Sequence, residues 1–289
     1  MEWYTLVILS SVFLTIQHIL QKKVLFREHA TEYLTAFCLL MWIGILPFRN
    51  QIQFFIPANS FFLLYLIGFL SIFTWLPWVR AYRHMEISTV EPLRNLAPLI
   101  VVLFATLFLG ERIDSIHFLG IFLIIAGSYL LEISVFKTPF WKPLQLLEKK
   151  YVTQIFISMS VGSIIAIFVK IVLQSVNVPT FLFYTFFLAS LHMLIIQFVK
   201  YEGIYDVIKV VRADWLLLVL IVATTLVSDY LHLLAIAMPT TLLSLAIPLR
   251  RLSTLFVTVI GGELFHENNL FKKTMACFIM LLGTYFLLL

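Results

Sequence analysis

Two stretches decide the fold: PLRNLAPLIVVLFATLFLGE at residues 92–111 and PLRRLSTLFVTVIGGELFHE at 248–267. Shifted by 156 residues, they coincide at seven positions: Pro92/Pro248, Leu93/Leu249, Arg94/Arg250, Leu96/Leu252, Leu99/Leu255, Val101/Val257 and Glu111/Glu267. The same shift pairs Gly127 with Gly283 and Tyr129 with Tyr285. Shared leucines carry little weight in an apolar chain. A common Pro-Leu-Arg with a glutamate nineteen residues on carries much more. The chain therefore contains an internal repeat.

What surrounds the repeat is membrane protein. Of 289 residues, 62% are apolar and 12% charged, about half of the roughly 25% charged residues usual in a soluble domain. A water-soluble globule cannot hide that much apolar surface. Disorder, a disulfide scaffold and a fibrous chain are excluded by the same figures. Ten apolar runs are read at about 3–21, 32–48, 59–79, 87–109, 116–136, 151–174, 180–199, 214–237, 241–265 and 272–289. The alternating ten-residue segments of an outer-membrane barrel are missing. The expected fold is thus an all-α membrane protein of ten transmembrane helices. Each repeat takes five. Five is odd, so the second copy enters the membrane from the opposite side and the repeats are inverted. The division reads 1–136, then a linker at 137–150 (KTPFWKPLQLLEKK), then 151–289. Trp141 and the linker lysines suit contact with lipid headgroups.

Fourteen basic residues fall in loops that follow odd-numbered runs, Lys22, Lys23 and Lys273 among them; Arg49 and Arg112 alone fall in the other loops. The positive-inside rule makes the first set cytoplasmic and both termini external. The first run has no basic segment before it and no small-residue cleavage site, so it reads as a retained helix. Short loops make a cell (inner) membrane the default. Cys38 and Cys277 sit in apolar runs, form no metal-ligand spacing, and read as packing residues. The net charge of +5 is spread over short loops, so it does not point to nucleic acid. No metal or other cofactor is expected.

The segment from Ala81 to Leu131 resembles the EamA-type repeat of the drug/metabolite transporter superfamily. The residues that carry the resemblance are Pro92, Pro98, Leu-Gly-Glu at 109–111, and the pair Gly120 and Gly127. A second copy at 235–289 is a weaker match: it keeps Pro239, Pro248, Gly-Gly-Glu at 261–263, Glu267 and Gly283, but has Ala276 where the first copy has Gly120. The resemblance implies a carrier with two inverted five-helix repeats, working by alternating access, with its site near the midplane between the repeats. Members move amino acids, nucleotide sugars, sugar phosphates, purines and drugs, so the family does not name the cargo. Many bacterial members are thought to keep both termini in the cytoplasm, whereas the loop charges here argue the reverse.

Four basic residues lie inside the apolar runs: Arg94, Lys170, Arg250 and Arg251. Each costs about 2.5 to 3.5 kcal/mol at a helix centre, so they should face the bundle interior or a wet cavity. Arg94 and Arg250 are repeat equivalents and would stand on opposite walls. Glu91, three residues before Arg94, and Asp229 are the counter-charges. Closed pairs Glu91–Arg94 and Asp229–Arg251 are the structural alternative to a substrate role, and for Glu91–Arg94 the more persuasive one. If both carboxylates ionise, the four basic residues leave net positive charge, which favours an anionic ligand held by bidentate guanidinium. A further resemblance, to plastid phosphate translocators, implies that Lys170 with Arg250 and Arg251 holds a substrate phosphate. Taken alone, Lys170 reads as a side chain snorkelling to the interface. Pro92 and Pro248 loosen the preceding turn and serve either gating or packing; Glu91 belongs with them as a gating candidate.

Tyr230, His18, His192, Trp75 and Trp78 could line a cavity, although interhelical hydrogen bonds explain the histidines and Tyr230 as well. His232, three residues after Asp229, could relay a proton or pair structurally. Glu111 and Glu267 read as helix-end anchors. No HExxH is present, since His266-Glu267-Asn268-Asn269-Leu270 fails at its last position, and no Gly-x-Ser-x-Gly elbow is present. The expected function is a secondary carrier for a small organic anion, as a monomer or homodimer in the bilayer. An exporter of amino acids or drugs with structural arginines, and a lipid-headgroup flippase, remain alternatives.

Overall fold

A computed structural model describes residues 2–94, 97, 100, 104, 106–107, 110, 114–136, 150–200 and 203–286. The linker at 137–149, Pro98, Leu109, Glu111 and Arg112 lie outside them. Among the described residues there are helices and no strands. They are α1 (Trp3–Leu25), α2 (Ala30–Ile45), α3 (Ala58–His84), α4 (Ile87–Leu93), α5 (Ser115–Phe136), α6 (Lys150–Val172), α7 (Val178–Lys200), α8 (Ile204–Ala213), α9 (Trp215–Ala237), α10 (Leu243–Arg250), α11 (Leu252–Phe256), α12 (Gly262–Leu264) and α13 (Leu270–Phe286). Seven helical segments among the described residues are long and apolar enough to cross a membrane. The chain is an all-α membrane protein, and each of the ten apolar runs of the sequence holds helix among its described residues.

The packing follows the repeat. The α1 helix packs along α9, and α3 packs along α6. Advancing five runs turns the first pair into the second, as a two-fold axis relating the halves requires. The pairs that map onto themselves, α2 with α7 and α5 with α13, are also in contact. The last crossing is set by glycine. A Cβ added at Gly283 would lie 2.6 Å from the Gly120 carbonyl oxygen, and one at Gly127 would lie 2.8 Å from that of Ala276. Gly127/Gly283 and Gly120/Ala276 are both repeat-equivalent pairs, so these two contacts are mirror copies of one small-residue interface.

Two features depart from the sequence reading. The loop at 200–213 contains α8, with Val207 and Val210 buried and Asp206 paired to Lys209 at 3.1 Å. At ten residues it is too short to span, so a span search passes over it. The ninth run is not one helix. It breaks at Arg251 into α10 and α11, then passes through a π-helical turn at Val257–Gly261 into α12. Pro248 explains the first break, because it offers no N–H to the preceding turn. In the fourth run, α4 begins at Ile87 and ends at Leu93, with a change of winding at Arg94. Leu243 and Ile87 are repeat equivalents, as are Arg250 and Arg94. Both runs thus begin at the same repeat position, and their winding changes at positions one residue apart in the repeat, at Arg94 in the first and at Arg251, just after Arg250, in the second. Interrupted helices of this kind are where transporters place their sites.

Candidate binding cavity at the broken helices

The arginines meet at a cavity of about 190 Å³. A buried water needs only about 10–15 Å³ by such a measure, so the space suits a small molecule. Arg94, Arg250, Arg251 and Asp229 line it together with Gln17, Gln21, His18, Trp75, Trp78 and His232. Helices α1, α3, α9 and α10 and the residues that follow α4 and α10, Arg94 and Arg251, supply these side chains.

Two of the three guanidinium groups are occupied. Arg94 Nη1 donates to Glu91 Oε1 at 2.9 Å, and the same oxygen accepts the Tyr82 hydroxyl at 2.6 Å. The other carboxylate oxygen stands 3.4 Å from His18 Nδ1. Glu91 is completely buried. Arg94 also lies over the Trp78 ring, 4.2 Å from its centroid, a favourable cation–π placement. Arg250 Nη2 donates to Asp229 Oδ1 at 2.6 Å and to Ser228 Oγ at 3.1 Å. Arg251 has no hydrogen bond or ion pair among the described residues, yet it faces the cavity. Its neighbour therefore takes the aspartate: the expected Asp229–Arg251 pair is replaced by Asp229–Arg250. A rotation of about 100° per residue explains the difference, because only one of two consecutive side chains can point at α9.

Two sequence candidates fall outside the cavity. Lys170 does not line it; its ammonium donates to the carbonyls of Ile236 at 3.0 Å, Met238 at 3.3 Å and Thr241 at 2.7 Å, at the end of α9. It neither snorkels outward nor joins Arg250 and Arg251 in a phosphate cluster. Tyr230 faces away from Asp229 into a separate apolar groove of about 340 Å³ between α2, α7 and α9, where it stacks on Phe48. Adjacent residues on a helix diverge, so a polar neighbour was no guide to its direction. His192 bonds the Leu188 carbonyl at 2.7 Å within its own helix.

Other residues were passed over. Gln17 and Gln21 enter the cavity bonded to each other at 2.7 Å; their spacing of four residues puts them on one face of α1, which could have flagged them. Lys22 and Lys273, counted as loop charges, are 3% and 1% exposed. Lys22 bonds the carbonyls of Tyr82 and Met85. Lys273 bonds Glu86 Oε2 at 2.7 Å and the Ser88 hydroxyl, and stands 3.7 Å from Glu267. Glu267 anchors a helix end, but not its own. It accepts the backbone N–H groups of Ile87 at 2.8 Å and Ser88 at 3.0 Å, at the start of α4. A carboxylate there satisfies two donors that the helix cannot. Among the described residues no cluster could hold a metal ion.

A model of the EamA-like transporter family matches residues 1–133. The match covers slightly less than half of the chain and falls on its first half, which is similar to that family. An uncharacterized transporter encoded in a cobO 3′ region of a Sinorhizobium species is 35% identical over 78 residues, covering 27% of this chain and 55% of that protein. A probable 4-amino-4-deoxy-L-arabinose-phosphoundecaprenol flippase subunit, ArnE, from Pectobacterium atrosepticum is 34% identical over 55 residues, covering 19% of this chain and 49% of that protein. The chain spans about half the length of the curated relatives it matches. One crystal structure shares the fold over 98% of this chain and 95% of that one, with a TM-score of 0.67 at 15% identity.

Proposed function

We propose that this transporter carries a small organic anion, a phosphorylated metabolite or a carboxylate, by alternating access about the cavity. The supporting observation is Arg251: a guanidinium facing the cavity with no counter-ion among the described residues, beside two that have one. An unpaired buried cation is costly unless something completes it. A guanidinium is shaped to take a phosphate or carboxylate by two parallel bonds. Arg250 and Arg94 assist as the paired cations, and Asp229 sets the charge between them. Pro92 and Pro248, two and three residues before the changes in winding, give the bends about which the halves rock; Glu91 ties the first bend to α1 and α3. In this reading residues 1–136 and 151–289 are the two rocking repeats, the segment 137–150 joins them on the cytoplasmic side, and both termini face out. The protein works in a cell membrane as a monomer or homodimer, without a cofactor.

The test is a thermal-shift panel on detergent-purified protein, with inorganic phosphate, sugar phosphates, carboxylates, amino acids and organic cations. A ligand at 100 times its dissociation constant adds about 2.7 kcal/mol of stability. Hydrogen bonds to a charged group contribute about 1.5 to 3 kcal/mol, so Arg251→Ala should weaken anion binding roughly 10- to 150-fold. If Arg251→Ala binds anions as the parent does, or only cations and neutral compounds bind, the reading fails and the arginines are structural.

A second reading has its own observation. The apolar groove beside Tyr230 backs onto the helical turn that carries Asp229, and one relative is named as a flippase subunit. A lipid-linked anion would put its head at Arg251 and its chain in the groove. In the same panel, a lipid phosphate should then outcompete its water-soluble headgroup.

A further inference from the structure

Lys22 and Lys170 do one job twice. Lys22 lies near the end of α1 and donates to the carbonyls of Tyr82 and Met85, where α3 ends and α4 follows. Lys170 lies near the end of α6 and donates to the carbonyls of Met238 and Thr241, where α9 ends and α10 follows. Under the 156-residue shift Tyr82 becomes Met238 and Met85 becomes Thr241. The first helix of each half therefore sends one lysine to the same two carbonyls of its own elbow. The halves are inverted, so the two elbows lie at opposite ends of the bundle.

We propose that Lys22 and Lys170, which are not themselves equivalent under the shift but bond repeat-equivalent carbonyls, are positioning residues that pin the elbows from which the arginine-bearing broken helices enter the cavity. The elbow after α3 leaves end-of-helix carbonyls without intrahelical partners, and an ammonium offers three donors on one charge. Each ammonium donates to main-chain carbonyls of its elbow, which suits a pin. The first pin reaches the site in three bonds. Lys22 holds the Tyr82 carbonyl, the Tyr82 hydroxyl donates to Glu91, and Glu91 receives Arg94. The second holds the chain just before Leu243, where α10 starts and runs to Arg250. Each pin thus fixes the angle of one broken helix, and so the position of one cavity arginine.

The experiment uses the full chain in detergent with Lys22→Met, Lys170→Met, and the conservative Lys22→Arg and Lys170→Arg. Amide hydrogen exchange is followed peptide by peptide, and binding is titrated with inorganic phosphate. Lys22→Met should speed exchange at least tenfold over residues 83–93 and leave 239–250 unchanged; Lys170→Met should do the reverse. The arginine variants should restore protection. A merely structural lysine would speed exchange throughout the bundle, and an idle one nowhere; either result overturns the proposal. Should a methionine variant not fold, the arginine variant decides: it must keep protection at its own elbow. The exchange readout needs no ligand, so it is independent of the anion reading. If phosphate binds none of the proteins while exchange changes elbow by elbow, the anion reading fails and the pins stand.

Discussion

Glu91 makes the most exacting prediction. It is completely buried, accepts from Tyr82 at 2.6 Å and Arg94 at 2.9 Å, and stands 3.4 Å from His18. Glu91→Gln keeps the shape and removes the charge. Arg94 then keeps the Trp78 face but loses its counter-ion. Breaking a buried pair by removing one partner costs about 3–5 kcal/mol, because the other charge is stranded. The Arg94 side chain is 15% exposed, so cavity water relieves part of that and the expected loss is about 3 kcal/mol. Arg94→Met strands Glu91 instead, which has no such exposure, and should cost at least as much. The double variant strands neither charge and should recover about 2 kcal/mol or more relative to the sum of the singles. The assay is reversible unfolding in mixed micelles over a range of denaturing detergent, run as a double-mutant cycle. Independent sites add to within about 0.5 kcal/mol. A coupling below that refutes the pair, and with it the route by which the Lys22 elbow reaches the cavity.

Three further outcomes follow from the geometry. Asp229→Asn releases Arg250 and raises the positive charge of the cavity, so inorganic phosphate should bind more tightly by isothermal titration; equal or weaker binding counts against an anion site. Gly283→Leu drives its Cβ to 2.6 Å from the Gly120 carbonyl and should abolish a monodisperse peak in size-exclusion chromatography, whereas Gly162→Ala, whose Cβ meets only the Thr74 methyl group at 3.3 Å, should run as the parent does. Lys273→Met leaves Glu267 and Glu86 facing each other without their shared cation and should cost about 3–5 kcal/mol in the same unfolding assay; a loss under 1 kcal/mol would show that the network is dispensable.

The fold was legible because its signals are long. Twenty apolar residues in a row admit one structure in lipid, and a Pro-Leu-Arg repeated at a fixed distance, with five runs in each half, dictates inversion. Arg94, Arg250 and Arg251 were legible because a charge inside an apolar run has few places to go. What escaped was direction. Arg250 and Arg251 are neighbours, and composition cannot say which turns toward Asp229. Tyr230 follows Asp229 and faces the other way. Lys170 entered as a phosphate ligand through the resemblance to phosphate translocators and read alone as a snorkelling side chain; its backbone carbonyl partners leave no mark in the residue types. Lys22 and Lys273 were taken for loop charges for the same reason: a lysine at the edge of an apolar run reads alike whether it meets water or a helix end. The Gln17–Gln21 pair was available from its spacing, but amides in a helix seldom attract notice beside arginines.

The repeat also explains why the cavity is unbalanced. A two-fold frame supplies Arg94 and Arg250 as equivalents, but the rest of the charge breaks the symmetry. The position equivalent to Glu91 is Ile247, that of Asp229 is Phe73, and that of Arg251 is Asn95. Each equivalent arginine therefore finds its carboxylate from a different place: Arg94 from its own helix, Arg250 from α9. Of the three cavity arginines, Arg251 has no counter-ion among the described residues and no charged equivalent in the first half. Symmetry suits the motion, since both faces must open by related movements about elbows held by Lys22 and Lys170. Binding needs no symmetry, because one small molecule has one charged end. An inverted repeat that kept its elbows alike and let its cavity charges diverge would leave one free guanidinium on one wall.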